Sequence, residues 1–322
     1  MPKKIGLVPY ALRLWNKEDE QYYITNRLPG NTTLQDHICA YLAERHAQKS
    51  VLNALQSAIR VDSHQTSGNS TEGIIKCGDY GYAADLENLR TGRQFRRGIH
   101  DCEYLPFFFR FLFKNGQNEA VVLLQRFGVN GIKTVLEDDC ASFVEARVPD
   151  SRLSINPIVS VDYIRECLGG GIRRIRYVKF SVPADVADDI GVDDHIENDA
   201  SMELSIKAKR SRHLGIPGWM RAGQIGASNA IEISGVQYDD VKLEIDIDGN
   251  KKTVDLADLR KFNMSLDVTE NVQFGIDGHP TYESMRQAAD GILPMITSAI
   301  RWENQLYKKQ LCCQLYRDIC KP

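Results

Sequence analysis

Residues 105–127, LPFFFRFLFKNGQNEAVVLLQRF, constrain the fold more than any other part of the chain. The first half alternates, and one face of the predicted strand carries Phe107, Phe109, Phe111 and Phe113. Asn115-Gly116 supplies the positive φ angles of a tight turn. The returning segment, EAVVLLQRF, is apolar on both faces, which is typical of the centre of a sheet. The sequence therefore predicts a central antiparallel hairpin.

Helical and strand-like periods are interspersed along the rest of the chain. Helical spacing is found at 34–48 and 131–145 and again from Thr281 onwards, and strands are predicted at 3–15, 152–158, 172–182 and 203–213. A short helix is predicted at 161–168, and 230–256 contains a second hairpin that turns at Asp248-Gly249. We predict an α+β fold with a mixed, mostly antiparallel sheet, hairpins, packed helices and a long C-terminal helix.

The polar stretch DSHQTSGNST, residues 62–71, is predicted to be a loop and a domain boundary. It divides the chain into an N-terminal α/β segment at 1–62 and a central α+β core domain at 72–280, which a C-terminal helix at 281–322 follows. No apolar run is long enough to cross a membrane, and the N-terminus lacks the pattern of a secretory signal. We therefore expect a cytoplasmic protein that does not insert into membranes.

The eight cysteines form no C-x-x-C pair and no regular framework. Such cysteines are typical of free thiols in a reducing compartment, and their spacing does not suit a zinc site. We expect neither a metal nor another cofactor.

The segment GVNGIKT, residues 128–134, has the composition of a phosphate-binding loop but not its spacing. Two residues instead of four separate Gly128 from Gly131, and Ile132 stands between the second glycine and Lys133. A strand-to-helix connection is the better interpretation. Its helix N-terminus can still contact a phosphate of a polymer, together with Arg126 and Lys133.

Charge is sorted along the chain although the net charge is only −3. Residues 173–179 and 207–213 are strongly basic, and residues 185–203 are strongly acidic. A basic surface of this kind favours a nucleic-acid-binding protein, with DNA expected and RNA as an alternative. The predicted contacts are Arg126, Lys133, Arg173, Arg174, Arg176, Lys179, Lys207, Lys209, Arg210 and Arg212.

Two alternatives to a non-enzymatic binding protein remain open. Asp240-Val-Lys242 has the D-x-K form found in metal-dependent nucleases, although the sequence shows no clear partner aspartate. The other alternative is a protein-interaction or sensor subunit whose terminal helix holds a partner or a second copy of the chain.

The order of elements between about 105 and 190 resembles that of the RexA-like and KwaB-like phage-exclusion proteins. The order is an aromatic hairpin, the QRFGVNGIKT turn, a helix, the RLSINPIVS strand, a short helix, a glycine-rich turn and IRRIRYVKFSVPADVAD. The resemblance covers roughly a quarter of the chain and includes no catalytic motif. It implies a dimeric DNA-binding protein of bacterial or phage origin that acts in antiphage defence, where a partner defence protein is also expected.

Overall fold

The structure is a computed structural model that describes residues 3–158, 171–182, 200–210, 212–215, 231–233, 236–247, 250–255 and 264–306. It confirms an α+β fold in which every strand pairing among these residues is antiparallel. The chain forms two compact units, and the first contains Met1–Pro157 and Ser265–Pro294. The second contains Ile158–Met264 and Met295–Pro322. This division differs from the boundaries expected near residues 62–72 and 281.

Unit 1 is built around one large sheet. Its strands, numbered in chain order, are β1 (Ile5–Asn16), β2 (Gln21–Tyr22), β3 (Ser50–Leu52), β4 (Ser57–Ser67), β5 (Ser70–Asp79), β8 (Glu103–Leu112), β9 (Ala120–Phe127), β10 (Asn130–Gly131), β11 (Ser151–Pro157) and β18 (Leu266–Asp267). The main path runs β11-β1-β9-β8-β5-β4-β3, with β2 and β18 paired to β1 and β10 paired to β9. A separate two-stranded ribbon consists of β6 (Ala84–Glu87) and β7 (Gln94–Arg97). The helices are α1 (Leu34–Ala47), α2 (Lys133–Glu145) and α3 (Tyr282–Leu306), of which the residues up to Pro294 belong to unit 1.

Unit 2 contains a four-stranded sheet of the order β13-β12-β16-β17. Its strands are β12 (Ile172–Lys179), β13 (Met202–Lys207), β16 (Asp240–Ile247) and β17 (Asn250–Asp255), and β14 (Ile231–Ile233) pairs separately with β15 (Val236–Tyr238). The β16–β17 hairpin confirms the second predicted hairpin. Its turn at 248–249, the predicted helix at 161–168, residues 185–199 of the acidic segment and residues 307–322 lie outside the described residues.

The predicted aromatic hairpin is confirmed as β8 and β9, with Phe109 opposite Leu124. Gly116 in its turn has a φ of 75°, as the Asn-Gly pair predicted. β9 lies between β1 and β8, which explains why both of its faces are apolar. The side chains of Phe108 and Phe109 are completely buried although they lie on opposite faces of the sheet.

The predicted loop at 62–71 is wrong, because these residues form the β4–β5 hairpin. Its turn passes through Gly68, which has a φ of 57°, and Asn69 donates a hydrogen bond of 2.6 Å to the carbonyl of Phe113. The end of β4 is mostly exposed and polar, so its sequence shows no apolar alternation. The segment extends the sheet of unit 1 and is no boundary.

Helices pack on both faces of the unit 1 sheet. Thr71 and Glu72 are neighbours in β5 and therefore point to opposite faces. Thr71 lies 3.6 Å from the thiol of Cys39 in α1, whereas Glu72 accepts a hydrogen bond of 3.1 Å from the hydroxyl of Tyr282 in α3. α1 begins with the capping box of Thr33, whose side chain and backbone exchange hydrogen bonds with residue 36.

A buried carboxylate–tyrosine–arginine contact joins α1 to α2. Asp139 of α2 accepts hydrogen bonds from the Tyr41 hydroxyl at 2.9 Å and from Arg45 Nε at 2.6 Å. Burial raises the pKa of Tyr41 well above its ordinary value, so its phenol remains a donor. Arg45 balances the buried charge of Asp139, and the two helices are thereby held together.

The four described cysteines, Cys39, Cys77, Cys102 and Cys140, are free thiols, as expected. Burial raises the pKa of Cys77 to about 12, which keeps it protonated and unreactive. Within the described residues, every helix is too short or too polar to span a lipid bilayer.

A buried ion network fastens α3 to the sheet of unit 1. Arg110 of β8 forms ion pairs with Glu72 and with Asp290 of α3, and only 4% of its side chain is exposed. Arg286 lies 3.1 Å from Glu72, and burial, with the Glu72 carboxylate as a second cause, raises the pKa of Tyr282 to about 12. The network satisfies a buried carboxylate from several sides, which is the condition for a buried ion pair to be stable.

We expect Arg110→Ala to lower the free energy of unfolding of unit 1 by about 3 kcal/mol, because it leaves Glu72 undercompensated in a buried position. Urea denaturation followed by circular dichroism measures this change. The matched control is Lys76→Ala, which removes an exposed ion pair to Asp62 in the neighbouring strands and should cost less than about 1 kcal/mol. Equal losses in the two variants would contradict the role of the buried network.

Candidate nucleic-acid interface

A β-bulge at Arg173 sets the direction of the arginines in β12. The pairing of β12 with β16 shifts register between Ile172 and Arg174, so Arg173 is the additional residue. Ile172 and Ile175 are consequently both buried although they are three residues apart. Beyond the bulge the strand alternates regularly, and Arg174 and Arg176 share the face opposite to Ile175.

The face that carries Arg174 and Arg176 is an ion-paired surface. Arg174 Nε lies 3.5 Å from a carboxylate oxygen of Glu244, and Arg176 Nη1 lies 3.6 Å from one of Glu203. Among the residues whose side chains the structure describes, strand pairing brings four cations and four carboxylates onto this face, namely Arg174, Arg176, Lys207, Lys242, Glu203, Asp240, Glu244 and Asp255. These described charges balance, and the two central arginines are engaged by the protein itself.

The chain leaves β13 at Lys207 and folds back as a turn against the start of β12. The amide of Ala208 donates a hydrogen bond of 2.8 Å to the carbonyl of Arg173, and the amide of Leu214 donates one of 2.7 Å to the carbonyl of Ile172. The predicted strand at 203–213 is thus wrong beyond Lys207. A turn forms there because β12 offers these two carbonyls beside its bulge. We call residues 207–210, 212 and 213 together with Arg173 the basic turn.

Arg173 holds the basic turn in place from within. Its Nη1 donates a hydrogen bond of 3.0 Å to the carbonyl of Arg212, and the amide of Arg212 donates one of 3.0 Å to the carbonyl of Lys209. Gly171 adds a close approach, because a Cβ there would lie 2.4 Å from Nδ1 of His213. Its φ of 101° also requires glycine. Gly171 is the last residue of the glycine run that the sequence marked as a turn, and His213 packs against it.

The side chains of the basic turn are exposed and strongly cationic. The exposed members are Lys207, Lys209, Arg210, Arg212 and His213, and Arg173 is half-buried. The structure shows no ion pair for Lys207, Lys209, Arg210 or Arg212 within the part of the chain that it describes. The turn is therefore a compact group of cations on a hydrogen-bonded backbone.

Arg126 and Lys133 belong to unit 1, whereas the other eight predicted contacts belong to unit 2. Arg126 lies in β9, and its Nη2 is 3.5 Å from the carbonyl of Val129 in the following turn. Lys133 is the first residue of α2 and forms an ion pair with Glu137 one turn later. The strand–turn–helix interpretation of this segment is confirmed. Both cations already have partners within their own connection.

Lys179 also differs from the group at the basic turn. It is the last residue of β12, is half-buried and lies opposite Met202 at the other end of the strand from Arg173. Of the eight predicted contacts in unit 2, the structure thus gathers Arg173, Lys207, Lys209, Arg210 and Arg212 in one place. The sequence analysis did not include His213 among the predicted contacts. The structure shows that it packs against Gly171, the last residue of the glycine run.

Strand pairing supplies the carboxylate that the D-x-K segment lacked in the sequence. Asp255 of β17 lies opposite Lys242 of β16, and Lys242 Nζ is 3.4 Å from Asp240 and 3.8 Å from Asp255. Both carboxylates are buried, with 3% and 10% of their side chains exposed. Burial raises the pKa of Asp240, the neighbouring Asp255 raises it further, and Lys242 acts in the opposite direction.

No group of three histidine, cysteine, aspartate or glutamate side chains in the described ranges could hold a metal ion. The Asp240–Lys242–Asp255 group contains two carboxylates, and its third member is a lysine and not a metal ligand of these types.

No protein-family model matches the chain, and no curated protein sequence is significantly similar to it.

We expect Asp240→Asn to change how the stability of unit 2 depends on pH. Because folding raises the pKa of Asp240, its proton stabilises the fold at low pH, and this contribution is lost as pH rises through the folded pKa. Wild type should therefore gain stability relative to the variant when pH is lowered from about 7 to about 4. Hydrogen exchange at the same β16 amide in both proteins measures this difference, since the intrinsic exchange rate cancels in the ratio.

Amides of β9 in unit 1 are the internal control. Their ratio of exchange rates between wild type and variant should not change with pH as the ratio at β16 does. A β16 ratio that stays constant over this pH range would contradict the assignment of the raised pKa to Asp240.

Proposed function

We propose that the protein binds nucleic acid, with DNA as the expected ligand, through the basic turn and largely without regard to base sequence. The observation that supports this proposal most is the group of exposed cations at Lys207, Lys209, Arg210 and Arg212, for which the described residues provide no ion pair. Each contact with a phosphate releases a condensed counterion, which is the main source of sequence-independent affinity for DNA.

The backbone of the basic turn favours a polymeric anion over a small one. The turn presents its cations around hydrogen bonds from Arg173 and Ala208, so their Cα positions are fixed relative to β12. Exposed side chains of lysine and arginine still adapt to different phosphate spacings. Such a surface recognises a backbone of phosphates and provides no groove-specific pattern of donors and acceptors.

The polar face of the unit 2 sheet contributes less to this function than its sequence suggests. Arg174 and Arg176 each lie within 3.6 Å of a carboxylate, so their charge is already partly offset before a phosphate approaches. The proposal therefore centres on the turn. On the basis of the resemblance to phage-exclusion proteins, we further propose that this DNA binding serves a bacterial antiphage system in which the chain acts as a homodimer or with a partner defence protein.

Replacement of Lys209, Arg210 and Arg212 by alanine should weaken binding to duplex DNA and reduce its dependence on salt. Loss of three phosphate contacts lowers the slope of log K against log salt by about 2.7. Mobility shifts over a salt series with a fluorescent duplex measure the slope. The matched control replaces the exposed Lys17, Arg27 and Lys49 of unit 1 by alanine, which changes the net charge equally.

The proposal is overturned if the triple variant keeps the wild-type slope, or if the control triple loses as much of it. A third arm replaces Arg173 by alanine. Because Arg173 orders the turn, this variant should weaken binding more than the loss of one phosphate contact, and its circular dichroism spectrum should remain that of the wild type.

A second candidate function is metal-dependent cleavage of phosphodiesters. The observation that favours it is the convergence of Asp240, Asp255 and Lys242 on one face of the sheet, since two carboxylates can bind magnesium while a lysine stabilises the phosphorane. The burial of both carboxylates weighs against it, because a substrate phosphate needs access to the metal.

The two candidates separate when DNA is incubated with magnesium or manganese. The binding function predicts intact DNA in wild type and in Lys242→Ala. Cleavage that needs the metal and disappears in both Lys242→Ala and Asp255→Asn would establish the nuclease instead. The basic-turn triple variant is the control, because it should slow such cleavage by weakening binding without abolishing it at high protein concentration.

A further inference from the structure

The ribbon formed by β6 and β7 is the most exposed ordered part of unit 1. All of its residues from Asp85 to Arg96 are exposed, and Leu89 at its tip is 96% exposed. Five of the thirteen large hydrophobic residues that are exposed in the described ranges lie in or beside it, namely Tyr82, Leu86, Leu89, Phe95 and Ile99. Apolar side chains concentrated on one projecting element indicate an interaction surface.

The base of the ribbon is anchored to the sheet of unit 1. Arg97 is 4% exposed, and its guanidinium donates hydrogen bonds to the carbonyls of Asp79 and Asp101 and to the carboxylate of Glu103. It also lies 4.3 Å from the centre of the Tyr82 ring. The amide of residue 81 donates a hydrogen bond of 2.8 Å to the carbonyl of Ile99. The base of the ribbon is therefore held to the sheet of unit 1 by these hydrogen bonds.

The tip of the ribbon is also ordered by hydrogen bonds. The Asn88 side-chain oxygen accepts hydrogen bonds from the amides of Arg90 at 3.0 Å and Thr91 at 2.9 Å. The amide of Asn88 donates one of 2.9 Å to the carbonyl of Arg93, which closes the turn. Leu89 has no partner side chain in this turn and points at nothing that would bury it, as its exposure shows.

Charge and shape together indicate which partner this ribbon fits. The tip, residues 88–93, carries Arg90 and Arg93 and no carboxylate, and the structure shows no ion pair for either arginine among the described residues. Leu86 and Phe95 lie directly opposite each other behind the tip. The ribbon thus ends in one apolar side chain with two free cations beside it, and an apolar pair follows.

We propose that the β6–β7 ribbon enters a groove of duplex DNA, where Leu89 wedges between base pairs while Arg90 and Arg93 bind the flanking phosphates. Two-stranded ribbons enter the major or the minor groove of DNA. Apolar side chains that are inserted from the minor groove partly unstack a base step and bend the duplex. DNA accounts for both the leucine and the two arginines at the tip. A flexible acidic protein segment would bind the arginines but would give the exposed leucine at the rigid tip no role. The ribbon is distinct from the basic turn and belongs to the other unit.

The experiment uses the full chain and a duplex of about 30 base pairs with a donor and an acceptor fluorophore at its ends. Saturating wild-type protein should raise energy transfer by bending the duplex. Leu89→Ala should lose most of this increase, because alanine is too short to unstack a step, while it still binds. The matched control is Ile276→Ala, which removes another fully exposed aliphatic side chain of unit 1 and should bend DNA like wild type.

The arginines are tested by the salt dependence of binding. Arg90→Ala with Arg93→Ala should lower the slope of log K against log salt by about 1.8, and Arg27→Ala with Lys49→Ala should leave it unchanged. Leu89 and both arginines are exposed, so none of these variants should alter the circular dichroism spectrum or the thermal unfolding midpoint.

Three outcomes overturn the inference. The first is that Leu89→Ala bends DNA as strongly as wild type, and the second is that the two-arginine variant keeps the full salt slope. The third is that the ribbon variants change only the oligomeric state in light scattering, which would assign the ribbon to a second copy of the chain. The basic-turn triple variant separates this inference from the proposed function. If the basic turn does not bind DNA, the triple variant bends DNA at the same protein concentration as wild type, which contradicts the proposed function. If the ribbon does not bend DNA, Leu89→Ala gives the same energy transfer as wild type, which contradicts only this inference.

Discussion

Ion pairing across the four-stranded sheet determines which cations of unit 2 can bind an external anion. Antiparallel pairing places Arg174 and Arg176 of β12 beside Glu244 of β16 and Glu203 of β13, and each of these two guanidinium groups lies within 3.6 Å of a carboxylate. A strand as basic as IRRIRYVK could not lie in the middle of a sheet without such neighbours, because adjacent like charges on one face repel. The carboxylates that stabilise the sheet therefore offset the charge of its central arginines. Among the described residues of unit 2, Lys207, Lys209, Arg210 and Arg212, which have no ion pair, lie where the chain leaves the sheet.

The sequence allows the large sheet of unit 1 to be anticipated because its core obeys local rules. The phenylalanines of β8 alternate and turn through Asn-Gly, and Thr33 stands at the start of α1 with an acidic residue three positions later. β4 escapes prediction since its outer half is polar on both faces and only its hairpin pairing with β5 identifies it as a strand. Local periodicity reports burial, so a strand that is hydrogen-bonded but exposed is invisible to it.

The candidate site was predictable in composition but not in geometry. The basic run 207–213 looks like one strand, yet the bulge at Arg173 leaves carbonyls at Ile172 and Arg173 that capture the backbone after Lys207 and turn it. Asp255 joins Asp240 and Lys242 because β16 and β17 pair in one register, which the hairpin turn sets and the D-x-K triplet alone does not show. The turn after Lys207, in contrast, depends on residues that are far apart in sequence.

The basic turn and the ribbon would act on DNA through different physical forces. Phosphate contacts at the turn weaken as salt rises, because their free energy comes from released counterions. Insertion of an apolar side chain depends instead on the cost of unstacking a base step, which is lowest at flexible pyrimidine–purine steps and varies little with salt. A chain with both surfaces needs no hydrogen bonds to base edges to distinguish one stretch of duplex from another. It would prefer deformable DNA, and this preference would become more pronounced as salt suppresses the contribution of the phosphates.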